Sequence, residues 1–518
     1  MEFTKKPTRR SLLKAGAALA GCAGLTNLGV VSQTFANHHP QPHEDSLDYL
    51  DRETYIHNME VHAHLETEAG QHGMQMYVKG DRRYMFTARS IIDVTDPLNP
   101  VTIKEDPWPV GSLGDIPALA YNKKLGKWIM LVGAGMQPTM PTEDKIGGKY
   151  KYPSKIIDVI TKPGLRGCRI YDVTDPTDIK LLSEWSADLG DPGRELQGGE
   201  GIFHIYYDGG KYAYLNAGLG DDFTRMGSYI RFYNRGLQII DIEDPANPKF
   251  VSNWWLPGQR EGEEAEYEKW REHEDRASWT SASCHFYVPK RVEDGGKYCY
   301  STWGSLGFMI HDVSNPEKPR LVSRFQGENT PGSIDFFHSN LSWLDKGIAV
   351  VYSEALELDC AAPLIEPYIL DVSDPTNPVV LSRLSKPATP PEAPYDDFCD
   401  KRGRFGPRFS PHLIAPGKVD RDFFALAYFS GGLQCYDISD PRDPKVVAYF
   451  IPPQGGEIDD WNSSYYRQVQ NVFIEWDRKL IWVASNTGLY VVSSSQLGKP
   501  VLKPMPVREW SIPGITHG

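Results

Sequence analysis

Ser90-Ile91-Ile92-Asp93-Val94-Thr95-Asp96-Pro97 is the first copy of a phrase that returns along the chain. It recurs as Arg169-Ile170-Tyr171-Asp172-Val173-Thr174-Asp175-Pro176 and as Gln238-Ile239-Ile240-Asp241-Ile242-Glu243-Asp244-Pro245. Three more copies are Met309-Ile310-His311-Asp312-Val313-Ser314-Asn315-Pro316, Tyr368-Ile369-Leu370-Asp371-Val372-Ser373-Asp374-Pro375 and Gln434-Cys435-Tyr436-Asp437-Ile438-Ser439-Asp440-Pro441. A degraded seventh copy is Gly488-Leu489-Tyr490-Val491-Val492-Ser493. The first six are apolar, β-branched runs that end in Asp-Pro or, in the fourth, Asn-Pro, where the Asp or Asn side chain can hold nearby backbone amides and proline cannot extend a ladder. The phrase therefore stops a strand and sets a turn.

A short strand follows each phrase, as at Lys249-Phe250-Val251-Ser252, and another precedes most copies, as at Lys211-Tyr212-Ala213-Tyr214-Leu215. An apolar first strand lies further upstream. The aspartates recur every 59 to 79 residues, which suits a four-stranded blade carrying insertions. The reading is all-β: a seven-bladed β-propeller of four-stranded blades with loop and short helical insertions. The phrase resembles that of LVIVD-repeat proteins, a group of secreted β-propellers, from about residue 66 to residue 505. That resemblance implies the fold and no particular chemistry.

The N-terminus reads as an export signal over 1–36. Thr8-Arg9-Arg10-Ser11-Leu12-Leu13-Lys14 resembles the twin-arginine motif and precedes an Ala- and Gly-rich apolar run. Thr34-Phe35-Ala36 is the preferred cleavage site; Leu19-Ala20-Gly21-Cys22 resembles a lipobox and offers a lipid anchor at Cys22 as the alternative. Residues 37–65 are read as an N-terminal extension able to supply a closing strand, 66–505 as the propeller and 506–518 as a tail. The expected location is periplasmic or secreted. No later stretch is long and apolar enough for a membrane span.

With 40% hydrophobic and 24% charged residues the chain has the composition of an ordinary globular protein. Its net charge of −13 becomes about −17 once the five basic residues and Glu2 of the signal are removed, which argues against nucleic acid. Cys360 with Cys399 is the one pairing suggested among the cysteines, while Cys168 and Cys435 read as buried apolar fillers. Residues 136–166 and 386–407 look like long loops and 262–278 like an exposed helix, insertions placed to roof one mouth of the channel.

Aligning the blades by their phrases shows what begins each first strand. The answers are His72, His204, His285, His338 and His412, with Gln470 and Asn471 in blade seven and no histidine in blade two. First strands line a propeller's channel, so these rings would converge near one mouth. Several neutral imidazoles together suit copper, zinc, iron or nickel. His62 and His64, on one face if the segment is extended, and Glu200 could complete the site. The rival explanation is a structural histidine copied by duplication, bonding the next blade's backbone. His311 reads as a packing variant.

No nucleophile elbow, Walker loop or dinucleotide fingerprint is present. The leading expectation is a metal-dependent oxidoreductase, copper favoured, acting on a small substrate, with Glu200 moving protons. Copper enzymes built on propellers, nitrous oxide reductase among them, are similar in architecture and in using channel histidines. The alternatives are a non-catalytic propeller that binds a protein or glycan, and a calcium-dependent hydrolase or lyase.

Overall fold

The computed structural model describes residues 54–67, 73–109, 117–134, 165–187, 201–219, 235–260, 262–263, 265–266, 285–304, 306–327, 337–343, 346–355, 359–360, 364–401, 403–410, 414–453, 468–485 and 487–511. All lie in the compact unit Leu47–Gly518. Among them no helix is long and apolar enough to cross a membrane. The insertion at 136–164, most of 262–278 and the export signal fall outside the described residues.

Seven sheets of four antiparallel strands make the ring. Blade one is typical: Gln75–Lys79, Arg82–Phe86, Ser90–Asp93 and Val101–Glu105 pair in chain order. First strands touch between neighbouring blades, which places them innermost. The inner strands are covered on both faces by adjacent blades and therefore read as continuous apolar runs, such as Ile348–Ser353, buried throughout. The outer strands alternate, as Val101–Glu105 does between exposed and half-buried positions.

The phrase folds as its chemistry requires. In six blades the first aspartate accepts the backbone N–H two residues on, from Thr95 to Asp93 at 3.0 Å through Ser439 to Asp437 at 2.8 Å. The next Asp, or Asn315, repeats the bond to its own second neighbour. Two Asx turns in tandem thus reverse the chain toward the outer strand. A register shift of one residue follows between the phrase strand and the strand after it in the sheet in all seven blades. The bulged residues are Ile103, Leu182, Val251, Val322, Leu381, Val447 and, in blade seven, His62. In four consecutive blades the next residue is a serine whose hydroxyl donates to the Asp-Pro or Asn-Pro turn of the following blade. Ser183 meets the Pro245 carbonyl, Ser252 that of Pro316, Ser323 that of Pro375 and Ser382 that of Pro441, each at 2.6 Å.

Closure is shared between two blades. Tyr55–His57 is the outer strand of blade six, beside Lys445–Ile451, and Met59–Leu65 is the outer strand of blade seven, beside Gly488–Ser494. Blades one and seven are further joined by a buried charge network. Arg83 donates to Glu475 at 2.5 Å and to both oxygens of Asp477, at 2.9 and 2.8 Å. Arg478 donates to both oxygens of Glu475 and to the Thr95 and Val94 carbonyls, and the Trp482 indole N–H also reaches Glu475. Burial would raise the Glu475 carboxyl, but Arg478 and Arg83 outweigh it and hold it below the ordinary range.

Candidate functional site

Three of the expected histidines meet at the heads of adjacent first strands. His204 lies in Ile202–Tyr206 of blade three, His285 immediately precedes Phe286–Tyr287 of blade four, and His338 is second in Phe337–Trp343 of blade five. The His204 and His285 rings stack at 4.3 Å and 7°, and His285 and His338 lie 4.6 Å apart at 53°. All three are buried. Phe409 covers His285 at 5.1 Å and meets His338 edge-on at 5.3 Å. The Thr302 hydroxyl ties the blades by donating to the His338 carbonyl at 2.6 Å and accepting the His285 N–H at 3.2 Å.

The nitrogens are engaged in a definite way. The Phe286 N–H reaches His204 Nδ1 at 3.3 Å. The Ser339 hydroxyl lies 3.0 Å from His285 Nδ1 and 2.9 Å from His338 Nδ1, so one oxygen serves two rings. Burial first, then the His204 and His338 rings and Arg408, push His285 well below the usual histidine range, and its ring is neutral.

Behind the row stands Glu354, just after the second strand of blade five. Its Oε2 is 3.1 Å from His338 Nε2, an ion-pair contact that is off the axis of an aligned hydrogen bond. Its Oε1 accepts from Arg404 at 2.9 Å and from Arg408. Both guanidinium groups are buried and lie over the Phe429 ring, at 4.8 and 5.5 Å. Tyr352 donates its O–H to the Ser410 hydroxyl at 2.9 Å, and burial pushes its phenol up to about 12.

Arg404 comes from the Pro-rich segment 386–407 read as a roofing loop, and Arg408, Phe409 and Ser410 follow it directly. Among the described residues of 386–407 the regular structure is a 3-10 turn at Phe398–Lys401 and a bridge from Phe405 to Phe429, and the segment is firmly held. Cys399 is disulfide-bonded to Cys360, and two residues beyond Lys401 the Gly403 N–H donates to the Asp359 carboxylate at 2.8 Å while the Asp359 N–H returns a bond to the Gly403 carbonyl.

His62 and His64 are not brought to this row; they sit on the outer strand of blade seven. The bulge falls at His62 and breaks the alternation that would have put both on one face. His62 turns inward to Ser493 Oγ at 2.7 Å, whereas exposed His64 stacks on Tyr490 at 4.0 Å and bonds the Thr487 carbonyl. His72, His412 and Glu200 lie outside the described residues. His311 packs edge-on against Trp254 at 4.2 Å, and burial pushes it down to about 3. Cys168 and Cys435 are buried free thiols.

His204, His285 and His338 form a row rather than a cluster. Among the described residues the only three metal-binding atoms found within 4.8 Å of one another belong to Cys360, Asp397 and Cys399, whose sulfurs are already bonded together. What sequence reasoning missed is Glu354, Ser339, Arg404 and Arg408. None recurs from blade to blade, and repetition was the signal that exposed the histidines.

The LVIVD repeat family matches residues 228–254, 291–326 and 368–385, which hold the third, fourth and fifth copies of the phrase. No curated protein matches the chain in sequence. Among solved structures, the periplasmic gluconolactonase PpgL of Pseudomonas aeruginosa is similar over 89% of this chain and 100% of its own, at 13% identity and a TM-score of 0.45. The Cps50 (Swd1) β-propeller domain of Myceliophteria thermophila is similar over 84% and 99%, at 9% identity and 0.44. Raptor of Chaetomium thermophilum is similar over 86% of this chain and 30% of its own, at 9% identity and 0.46. None of the three bears on the site. The chain is a seven-bladed β-propeller that carries LVIVD repeats.

Proposed function

We propose that the protein is a metal-dependent oxidoreductase, with copper the favoured ion, acting on a small substrate at the mouth where His204, His285 and His338 meet. The observation that carries this reading is the ring-to-ring packing of three buried imidazoles from consecutive blades, the middle one neutral. Neutral imidazole is a donor that copper, zinc, iron and nickel all accept. Among the described residues His204 and His285 are the ligands proposed, and because their rings stack nearly parallel at 4.3 Å, one ring would have to turn for both in-plane lone pairs to reach one ion. His338 has a partner at each nitrogen and fits the role of orienting its neighbours. His412, two positions after Ser410, and His72 are the further ligands proposed from the sequence, with Glu200 as the proton carrier. A bound copper ion would supply one-electron chemistry and a position for substrate. The chain's own part is to exclude water with Phe409 and to hold Glu354 ionised between two guanidinium groups. From the twin-arginine-like N-terminus we also infer that the protein works in the periplasm or outside the cell, with Cys22 as a site for a lipid anchor in the alternative processing.

A second reading, a propeller that binds a protein or glycan, is favoured by a groove of about 500 Å³ between the outer strand of blade five and Lys445–Ile451 of blade six. Arg383, Lys386, Arg442 and Lys445 line it, which suits an acidic partner.

Elemental analysis of the protein as purified, beside a variant with His204, His285 and His412 all changed to Ala, tests the metal reading. Stoichiometric copper, or another transition metal, that disappears in the variant supports it. A folded parent protein that takes up none of these ions when they are offered leaves the binding reading standing.

A further inference from the structure

We propose that the groove between blades five and six binds an acidic saccharide, a short run of uronic acid units, through a buried amide oxygen at its floor and the Arg442 guanidinium at its rim. The proposal rests on the binding reading and gives the partner a chemical class; the metal reading does not enter it.

The walls are Val379–Arg383, the outer strand of blade five, and Lys445–Ile451 of blade six. The space of about 500 Å³ between them accommodates a short oligosaccharide. The floor lies one strand further in. Gln434, on the phrase strand of blade six, stands opposite Tyr449, which stands opposite His57 on the strand outside it. Residues paired in this way share a face of the sheet. The Tyr449 ring is backed by His57, stacked on it at 5.4 Å and 25°.

Gln434 lines the groove although it is only 1% exposed. Its Nε2 donates to the Gly431 carbonyl at 2.6 Å, which fixes the orientation of the amide. Its Oε1 has no hydrogen-bond partner among the described residues. An acceptor withdrawn from water in this way is satisfied by a ligand that donates an O–H or N–H.

The cations around the groove differ in how firmly they are held. Arg383 lies over the Tyr368 ring at 4.5 Å, and Lys386 pairs with Asp397 at 2.8 Å. Lys445 pairs with Asp443, but both are exposed, and such a pair is worth little and exchanges readily. Exposed Arg442 gives its backbone N–H to Asp440, while its guanidinium has no hydrogen bond or ion pair among the described residues. A guanidinium is a fork for a carboxylate. The ligand must therefore bring a carboxylate to the rim and a hydrogen to an acceptor one strand deeper. A uronic acid carries both on one ring. An acidic peptide reaches Arg442 equally well, but its carboxylates have no hydrogen to give Gln434.

The test is calorimetric titration of the full-length protein with tetragalacturonate, with its methyl ester, which keeps the ring hydroxyls and loses the charge, and with a hexaglutamate peptide. Tetragalacturonate is expected to bind, more weakly as salt rises. The methyl ester should bind about 10-fold more weakly or worse, as should tetragalacturonate to Arg442→Ala. Gln434→Met should weaken it several-fold. Equal binding of the ester, or binding unchanged in both variants, overturns the proposal. If hexaglutamate binds through Arg442 and tetragalacturonate does not, the saccharide falls and the binding reading stands. If none of the three binds, both fall. Should Gln434→Met not fold, the Gln434 side-chain amide signal of the 15N-labelled parent is followed instead; it is expected to shift with tetragalacturonate, and a signal that stays in place at saturation overturns the floor contact and the proposal with it.

Discussion

Arg83 of blade one and Glu475 of blade seven meet at 2.5 Å with both side chains wholly withdrawn from water. Such a pair is costly to form and costlier to break, because removing one partner strands a buried charge. Arg83→Ala is expected to destabilise the protein by about 3–5 kcal/mol, read as a shift of the urea midpoint. The pH dependence has a fixed sign. Because the folded Glu475 carboxyl lies below its ordinary value, its contribution is complete above the unfolded value of about 4.3 and is lost as pH falls through the folded one. A seam that opens as pH rises from neutrality would contradict this.

The serine bonds between blades predict a graded effect. Ser252→Ala removes the hydroxyl that reaches the Pro316 carbonyl and is expected to cost about 1 kcal/mol. Ser183 and Ser382 serve separate joints with no shared partner, so the two losses should add to within about 0.5 kcal/mol in the double variant. Denaturant curves of the two singles and the double decide it.

The Cys360–Cys399 disulfide closes a loop of 39 residues and anchors the segment that carries Arg404 and Arg408. Changing both cysteines to Ser is expected to cost about 2–4 kcal/mol. The loss should be accompanied by faster amide hydrogen exchange at Gly403 and Arg408, whose backbone bonds depend on that anchorage. Thermal melts with and without a dithiol give the first quantity. Exchange rates left unchanged by reduction would show that the paired bonds at Asp359 suffice alone.

His62 occupies the bulge that Ile103, Leu182, Val251, Val322, Leu381 and Val447 occupy elsewhere. His62→Val should therefore fold, with stability changed by less than about 1.5 kcal/mol, and leave any metal content as it was. A drop in bound metal would give His62 a part that its place on the outer strand does not suggest.

The ring of blades was legible because the apolar strand recurs seven times and in six of them ends in Asp-Pro or Asn-Pro, each such copy solving the same local problem of ending a strand. That 37–65 could supply a closing strand was an expectation, but which blades Tyr55–His57 and Met59–Leu65 join was not legible, because their partners lie more than 390 residues away and nothing local specifies them. The histidine row was half legible. Alignment showed His204, His285 and His338 at one level, but the acid behind them, the shared hydroxyl and the two arginines are single residues whose meeting is set by the ring and the disulfide. The pairing of His62 with His64 failed on a bulge, since strict alternation holds only while register does.

Divided closure also bears on assembly. Tyr55–His57 and Met59–Leu65, the first strands among the described residues, have no edge to join until blades six and seven exist, so a chain emerging from its N-terminus holds them in waiting through nearly all of its synthesis. Long-range pairing of this kind is slow, because loop entropy is lost before any ladder bond repays it. A nascent chain cut short before Gly488–Ser494 would lack the strand that lies between Met59–Leu65 and Leu480–Ser485, leaving an open edge on each. The ring is therefore completed only when the ends of the molecule are both present, and a truncated product would expose two raw edges instead of one.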